Sequence, residues 1–172
     1  IGAGPGGYTA ALKAADFGLK TLVIEERELG GACTNRGCIP TKALLYASGC
    51  FSKMQHWDEI GVSADFISFD FKKMQQYKDK AVKTCREDLS RLFEKAGIEY
   101  VHGKAVLGPN LTVETEEKDG PKVYQGKNIL IATGAVSGNP HIPGADLPGV
   151  YTSSQLLAAK TWNFDRVTII GG

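Results

Sequence analysis

The sequence predicts an α/β fold, a parallel sheet carrying helices with a small antiparallel hairpin or meander added, and three observations support it. A glycine-rich turn opens the chain and runs directly into an alanine-rich helical stretch; a β-branched apolar run follows at βαβ spacing; and further on two short strand-like segments flank an Asp-Gly pair. The 172 residues include 20 Lys and Arg against 19 Asp and Glu, and 42% are hydrophobic. This is enough for one sizeable core and too little for two full domains. A net charge of +1 spread over both signs gives no field for a phosphate backbone, which argues against nucleic acid as a partner. No apolar run approaches the roughly 18 residues that span a bilayer, so no membrane partner is expected.

The elements follow in order. Gly2-Ala3-Gly4-Pro5-Gly6-Gly7 fits G-x-G-x-x-G at Gly2, Gly4 and Gly7, a turn that should follow a strand, yet only Ile1 precedes it. The first strand therefore reads as truncated. Tyr8 to Phe17, rich in Ala10, Ala11, Ala14 and Ala15, is expected as a helix lying close on a sheet and stopped by Gly18. Thr21-Leu22-Val23-Ile24 reads as a buried parallel strand. Pro40 to about Phe51 is a further helix, and Asp70 to Ala96 a long amphipathic one closed by Gly97. Ile98 to His102 is a strand, and Leu111–Thr115 and Lys122–Gln125 form the hairpin around Asp119-Gly120. Asn128-Ile129-Leu130-Ile131-Ala132 is expected as another buried strand leading into Thr133-Gly134, and residues 136–149, with Pro140, Pro143 and Pro148, as a loop leaving the domain. Val167-Thr168-Ile169-Ile170 before Gly171-Gly172 looks like the strand and first glycines of a second nucleotide-binding turn. The chain thus reads as the front part of a longer enzyme, with one domain at 1–149 and a linker and first strand of the next at 150–172.

The glycine motif alone is weak evidence, but its context strengthens it. Gly2 allows the tight turn, Gly4 lets backbone approach a pyrophosphate, Gly7 lets helix and strand touch, and the helix N-terminus faces the phosphate charge. Glu25, at the end of the second strand, can accept hydrogen bonds from both hydroxyls of a ribose. The pattern does not choose between a flavin and a nicotinamide dinucleotide.

Cys33 and Cys38 are the most informative pair. On a regular helix, sulfurs five residues apart are separated by about 140° around the axis and about 7.5 Å along it, too far for a disulfide. A bridge needs a bent segment, which Asn35, Gly37 and Pro40 allow, and a strained small-ring bridge is easily reduced, as catalysis requires. The rival readings are zinc, which wants four ligands in two close pairs whereas Cys50, Cys85, His56, His102 and His141 are scattered singly, and two free packed thiols. Cys85 falls on the apolar face of the long helix and Cys50 is expected as a packed small residue. No histidine is placed as a base.

Taken together, Gly30-Gly31-Ala32-Cys33-Thr34-Asn35-Arg36-Gly37-Cys38-Ile39-Pro40-Thr41-Lys42, after G-x-G-x-x-G and an acidic strand end, resembles the FAD-dependent pyridine nucleotide-disulfide oxidoreductases. The Cys-Ile-Pro sequence with Lys42 and Ala43-Leu44-Leu45 is most similar to the dihydrolipoamide dehydrogenases (E3) among them. The resemblance implies a Rossmann-like FAD-binding domain, the front of a flavoprotein lacking here its NAD and interface domains. The implied reaction is oxidation of protein-bound dihydrolipoamide to lipoamide with NAD⁺ as acceptor. The catalytic group would be Cys33, exchanging with substrate dithiol, Cys38, making the thiolate charge-transfer contact under the flavin, and Lys42, near the flavin N5 edge. Gly2, Gly4, Gly6 and Gly7 would meet the pyrophosphate with Gly31 and Ala32 close by. Glu25, with Glu26 beside it, would hold the adenosine ribose, Ala105 would meet the adenine through its backbone, and Thr133, Gly134 and Ala135 would pass close to the cofactor.

Four departures from the family pattern stand out. Ala32 takes the place of a usual Thr, removing a hydroxyl near the flavin phosphates; Thr41 replaces a common Ser, Thr34 an aliphatic residue, and Val136-Ser137-Gly138-Asn139 differs after the A-T-G run. The partners implied are the lipoyl domains of 2-oxo acid dehydrogenase or glycine cleavage complexes and a second copy in a homodimer, whose acid/base His would lie beyond this chain. The implied location is the cytoplasm, or an organelle matrix in a eukaryote. The alternatives are another NAD(P)H-dependent disulfide or mercuric reductase and, in a different class, a non-catalytic nucleotide-binding redox sensor.

Overall fold

A computed structural model of the chain describes every residue except 65, 139, 140, 162, 163 and 172, so the expectations at Asn139, Pro140 and Gly172 lie outside the described residues. Helix α1 spans Pro5–Asp16, with Gly4 as its N-cap and Pro5 where a missing N–H costs nothing. Strand β1, Leu22–Glu25, pairs in parallel with β2, Glu99–His102, in the register Leu22 to Glu99 through Glu25 to His102. Between them lie α2 (Gly31–Arg36), α3 (Cys38–Met54), a short 3₁₀ turn at Trp57–Ile60 and α4 (Phe71–Ala96). Helix α4 starts where the Asp70 carboxylate accepts the Lys73 N–H and stops at Gly97, whose φ of 66° suits glycine. Strands β3 (Lys104–Leu107), β4 (Thr112–Glu117) and β5 (Gly120–Gln125) form an antiparallel sheet in that order.

The β1–β2 ribbon separates two cores, because alternate strand residues face opposite sides. Val23 packs with Ala3, Ala11, Phe93 and Ile98 under α1 and α4. Ile24 and Val101 point the other way, onto Val113 of the antiparallel sheet, with Ala105, Tyr124 and Ile129 around them. The resulting order is helices, parallel ribbon, antiparallel sheet. One end of the antiparallel sheet is held by the Glu117 carboxylate, which accepts hydrogen bonds from Thr115 Oγ1 (2.9 Å), Lys122 Nζ (2.9 Å) and Tyr124 OH (2.7 Å).

Several expectations change. The run 128–132 is not a buried strand: Leu130 and Ile131 are 58% and 60% exposed, and the run joins no ladder. Among the described residues its backbone hydrogen bonds go to Ile1, whose amine donates to the Leu130 carbonyl (2.7 Å) and whose carbonyl accepts the Ala132 N–H (2.7 Å). A strand needs a neighbour for its N–H and C=O groups, and one residue is not enough. Val167–Ile170 is likewise exposed and forms no strand, for want of a partner among the described residues. Cys50, expected packed, is exposed, because its part of α3 faces outward, and Cys85 is half-buried. Strand β3 and the short helix α5 (Ser153–Ala158), closed at its start by a reciprocal Thr152–Gln155 capping box, were not expected.

Candidate functional site

The glycine turn is held by backbone packed against backbone. Gly2 has φ +98°, and a Cβ there would collide with the Ala132 carbonyl; a Cβ on Gly7 would collide with the Gly2 carbonyl. Gly31, at φ +60°, lies so close to Gly4 that an added Cβ would sit 2.6 Å from the Gly4 Cα. A Cβ on Gly4, by contrast, would find only the Gly31 Cα, at 3.9 Å, and one on Gly6 only the Ala132 Cβ, also at 3.9 Å. The glycines thus bring the start of α1, the start of α2 and the 132–133 backbone together while leaving the Gly4 face open. No side chain caps α1 and no acid stands in its first turn, so its positive end is left for an anion. This cradle fits a dinucleotide pyrophosphate.

Glu25 completes the turn from the end of β1. Its Oε2 accepts the Ala3 N–H (2.7 Å) and its Oε1 the Arg27 N–H (2.8 Å), which fixes the carboxylate and leaves further lone pairs for hydroxyl donors. Glu26 stands exposed beside Arg27, 3.6 Å from its Nε. Thr133, Gly134 and Ala135 continue from the strip over Gly2 and are exposed, whereas Ala105 sits half-buried in β3 opposite Thr115, on the antiparallel-sheet side of the ribbon.

The cysteines occupy two helices. Cys33 is in α2, Cys38 begins α3, and the chain breaks direction at Gly37 (φ −142°, ψ −101°). At that bend an added Cβ would lie 3.3 Å from the Ala32 carbonyl oxygen and 3.8 Å from the Cys33 Cα, so the chain doubles back on the start of α2. The two cysteines influence each other there: hydrogen bonding to Cys38 pushes the Cys33 thiol above its ordinary value, burial adds to this, and the charge of Lys42 opposes it. Both cysteines are free thiols. Lys42 is exposed on α3, one turn beyond Cys38, so Cys38, Lys42 and the positive end of a 17-residue helix are gathered at one place.

Of the three residues thought able to bend this segment, only Gly37 does so. Pro40 lies buried within the first turn of α3, where it lacks nothing the helix needs. Asn35 is a tether: its Nδ2 donates to the Leu29 carbonyl (3.0 Å) and the Gly31 carbonyl (2.9 Å). Thr34 is buried, its side chain against Gly30. Sequence reasoning missed Ala132, whose backbone roofs Gly2, and the ion pair of Arg36 with Glu28. The only signal for Ala132 was its place at the end of an apolar run; for Arg36 there was none.

Comparison with known proteins agrees with this geometry. A family profile described as pyridine nucleotide-disulphide oxidoreductase matches residues 1–172. The dihydrolipoyl dehydrogenase of Chlamydia trachomatis is 39% identical over an alignment covering 100% of this chain and 37% of that protein. Among solved structures, the HOCl-induced flavoprotein disulfide reductase RclA of Escherichia coli, as its Cu(II) complex, superposes with a TM-score of 0.74 at 30% identity, over 93% of this chain and 33% of its own. LpdA of Mycobacterium tuberculosis shares the fold, with a TM-score of 0.78 at 22% identity over 94% of this chain and 36% of its own. The chain spans about a third of the length of the proteins it resembles.

Proposed function

Because the chain belongs to the pyridine nucleotide-disulphide oxidoreductase family, we propose that it is the flavin-binding, dithiol-carrying front of an enzyme that oxidises protein-bound dihydrolipoamide with NAD⁺ as acceptor. The observation that carries this reading is the placing of Cys33 and Cys38 on two helices that fold back on each other at the Gly37 bend, beside an open glycine cradle. Residues 1–149 are read as the FAD-binding domain and 150–172 as the way into an NAD-binding one. The 39% identity to a dihydrolipoyl dehydrogenase supports the choice of substrate.

When bound, FAD supplies the two-electron centre between the sulfur pair and the nicotinamide. The cradle of Gly2, Gly4, Gly6, Gly7 and Gly31 with the α1 N-terminus would hold its pyrophosphate and Glu25 its ribose, with Ala105 and 133–135 as further candidate contacts. In the bridged state, a substrate thiolate attacks Cys33 Sγ, forming a mixed disulfide and releasing Cys38 as thiolate. The second substrate thiol, once deprotonated, attacks the mixed disulfide. The lipoyl ring closes and Cys33 leaves reduced, so two electrons have passed to the pair. Lys42 and the start of α3 stabilise negative charge on the Cys38 sulfur. Lipoyl domains would present the substrate, and a second copy would form the homodimer, in the cytoplasm or an organelle matrix.

The test uses the enzyme at full length. It should purify yellow and reduce NAD⁺ with dihydrolipoamide; Cys33→Ser and Cys38→Ser should both reduce turnover to background. A long-wavelength absorption band rising with pH should persist in Cys33→Ser and be absent in Cys38→Ser. A colourless protein would leave the redox-sensor reading, and the reverse spectral pattern would exchange the two sulfurs. A second reading, a disulfide reductase drawing electrons from NAD(P)H, is favoured by the likeness to RclA; faster NAD(P)H-driven reduction of a disulfide other than lipoamide would establish it.

A further inference from the structure

Cys33 and Cys38 lie on two helices, α2 and α3, that pack against each other and against α4 but are tied down by different side chains. Helix α3 is fixed against α4: Ala43 is buried, and the Tyr46 and Tyr77 rings stack at 6.2 Å. Helix α2 is fixed to the loop that leaves β1. Just before its first residue, Gly30 donates its N–H to the Ala3 carbonyl (2.9 Å); in its last turn, Asn35 reaches back to the Leu29 and Gly31 carbonyls and the half-buried Arg36 guanidinium grips the Glu28 carboxylate through Nη1 and Oε2. Arg36 is the last residue of α2, immediately before the Gly37 bend. Its hold on Glu28 is the side-chain tie nearest the bend between the two helices.

We infer that Glu28 and Arg36 form a positioning pair that sets how readily the Cys33–Cys38 dithiol closes into its bridge. Forming the S–S bond removes two electrons and two protons from the thiols and needs both sulfurs in one narrow geometry. With α2 held at both ends the two thiols meet at high effective concentration. With Arg36 released, the last turn of α2 loses one of its two side-chain ties to that loop, and the concentration falls. Arg36 acts here through geometry, by holding α2 to the Glu28 loop, whereas Lys42 acts on the Cys33 thiol through its charge. Loss of the clamp therefore favours the dithiol, by about fivefold, or about 20 mV for a two-electron couple.

This inference rests on the proposed redox role of the pair. The full-length enzyme and its Glu28→Gln and Arg36→Gln variants are equilibrated with mixtures of dithiothreitol and its cyclic disulfide, which carry the same two electrons and two protons. After acid quenching and alkylation the bridged fraction is counted by mass, while flavin absorbance reports separately on electrons that have moved on. Both single variants should shift toward dithiol by a similar factor, and Glu28→Gln with Arg36→Gln should shift no further than either alone. The exchanged pair, Glu28→Arg with Arg36→Glu, should recover part of the loss. Unchanged equilibria in variants that keep wild-type flavin content would overturn the inference. So would opposite shifts in the two singles, since a guanidinium freed from Glu28 and acting on the sulfurs by charge gives that pattern. A wild-type enzyme in which Cys33 and Cys38 never bridge would instead remove the redox reading itself, and this inference with it.

Discussion

The glycine turn at 2–7 and the apolar run at 128–132 touch each other, yet they are built in opposite ways. The turn has little side chain and is enclosed by backbone from Ala132, Gly31 and its own first residues. The run is rich in β-branched and aliphatic side chains and is held by two hydrogen bonds to Ile1, with Leu130 and Ile131 in solvent. Strand-forming composition did not make a strand, and glycine, a poor strand former, made a place too tight for a Cβ at Gly2 or Gly7. Order follows from what a segment is packed against, more than from its own propensity.

The largest effect should come from breaking the tight side of this contrast. Gly7→Ala places a methyl where the Gly2 carbonyl now lies, so the turn must open; a loss of about 3 kcal/mol is expected, read as a fall in Tm of roughly 6 to 12 °C for a chain of this size. Unchanged thermal unfolding would mean the turn is softer than its contacts imply. Next comes Glu25→Ala, which removes the acceptor of two backbone N–H bonds and the proposed ribose ligand. Each charge-assisted bond contributes about 1.5–3 kcal/mol, so flavin retention should drop at least tenfold. Equal flavin occupancy in wild type and variant would make Glu25 a folding residue alone. On the loose side, Ile131→Ala in the 172-residue chain should change stability by no more than about 0.5 kcal/mol. The same substitution in a protein as long as its relatives should cost more if chain beyond these residues covers the run, and the difference between the two backgrounds measures that cover.

The smallest effect concerns the Glu117 cluster. Lys122 first and Tyr124 second hold the Glu117 carboxyl below its ordinary value, and Glu117 in turn raises Lys122 and Tyr124. A lowered carboxyl stabilises the fold above its unfolded value, and that contribution is lost as pH falls through the folded one. The raised lysine and tyrosine contribute below their unfolded values and lose that contribution as pH rises through the folded ones. The β4–β5 hairpin should therefore exchange its amides more readily below about pH 4 and above about pH 10, each compared with Glu117→Gln at the same pH. Equal responses in both proteins would show the cluster to be ornamental.

What the sequence revealed was what neighbours along the chain decide. Helix α4 is bounded by Asp70 and Gly97, whose chemistry acts within one turn, and both bounds were legible. The same holds for the meeting of Cys33 and Cys38, because Gly37 lies between them. The Arg36–Glu28 pair was not legible, since it depends on which loop α2 lies against, and no local pattern encodes that. Strand β3 was missed because Lys104-Ala105-Val106-Leu107 is short and does not alternate; its place comes from β4. The exposure of Cys50 and of Leu130 and Ile131 was misread for a single reason, that apolar composition was equated with burial.

The parallel pairing of Leu22 with Glu99 has a consequence for the order of assembly. Everything from the end of β1 to the start of β2, including both cysteines, is a loop that must be closed before that ladder exists, and closure entropy rises with loop length. The β3–β5 meander and the α2–α3 bend close through short turns and do not wait for it. As the chain leaves the ribosome, the two thiols can therefore meet before the nucleotide-binding face is complete. A bridge formed that early would join near neighbours already folded toward each other, so premature oxidation would trap no wrong topology.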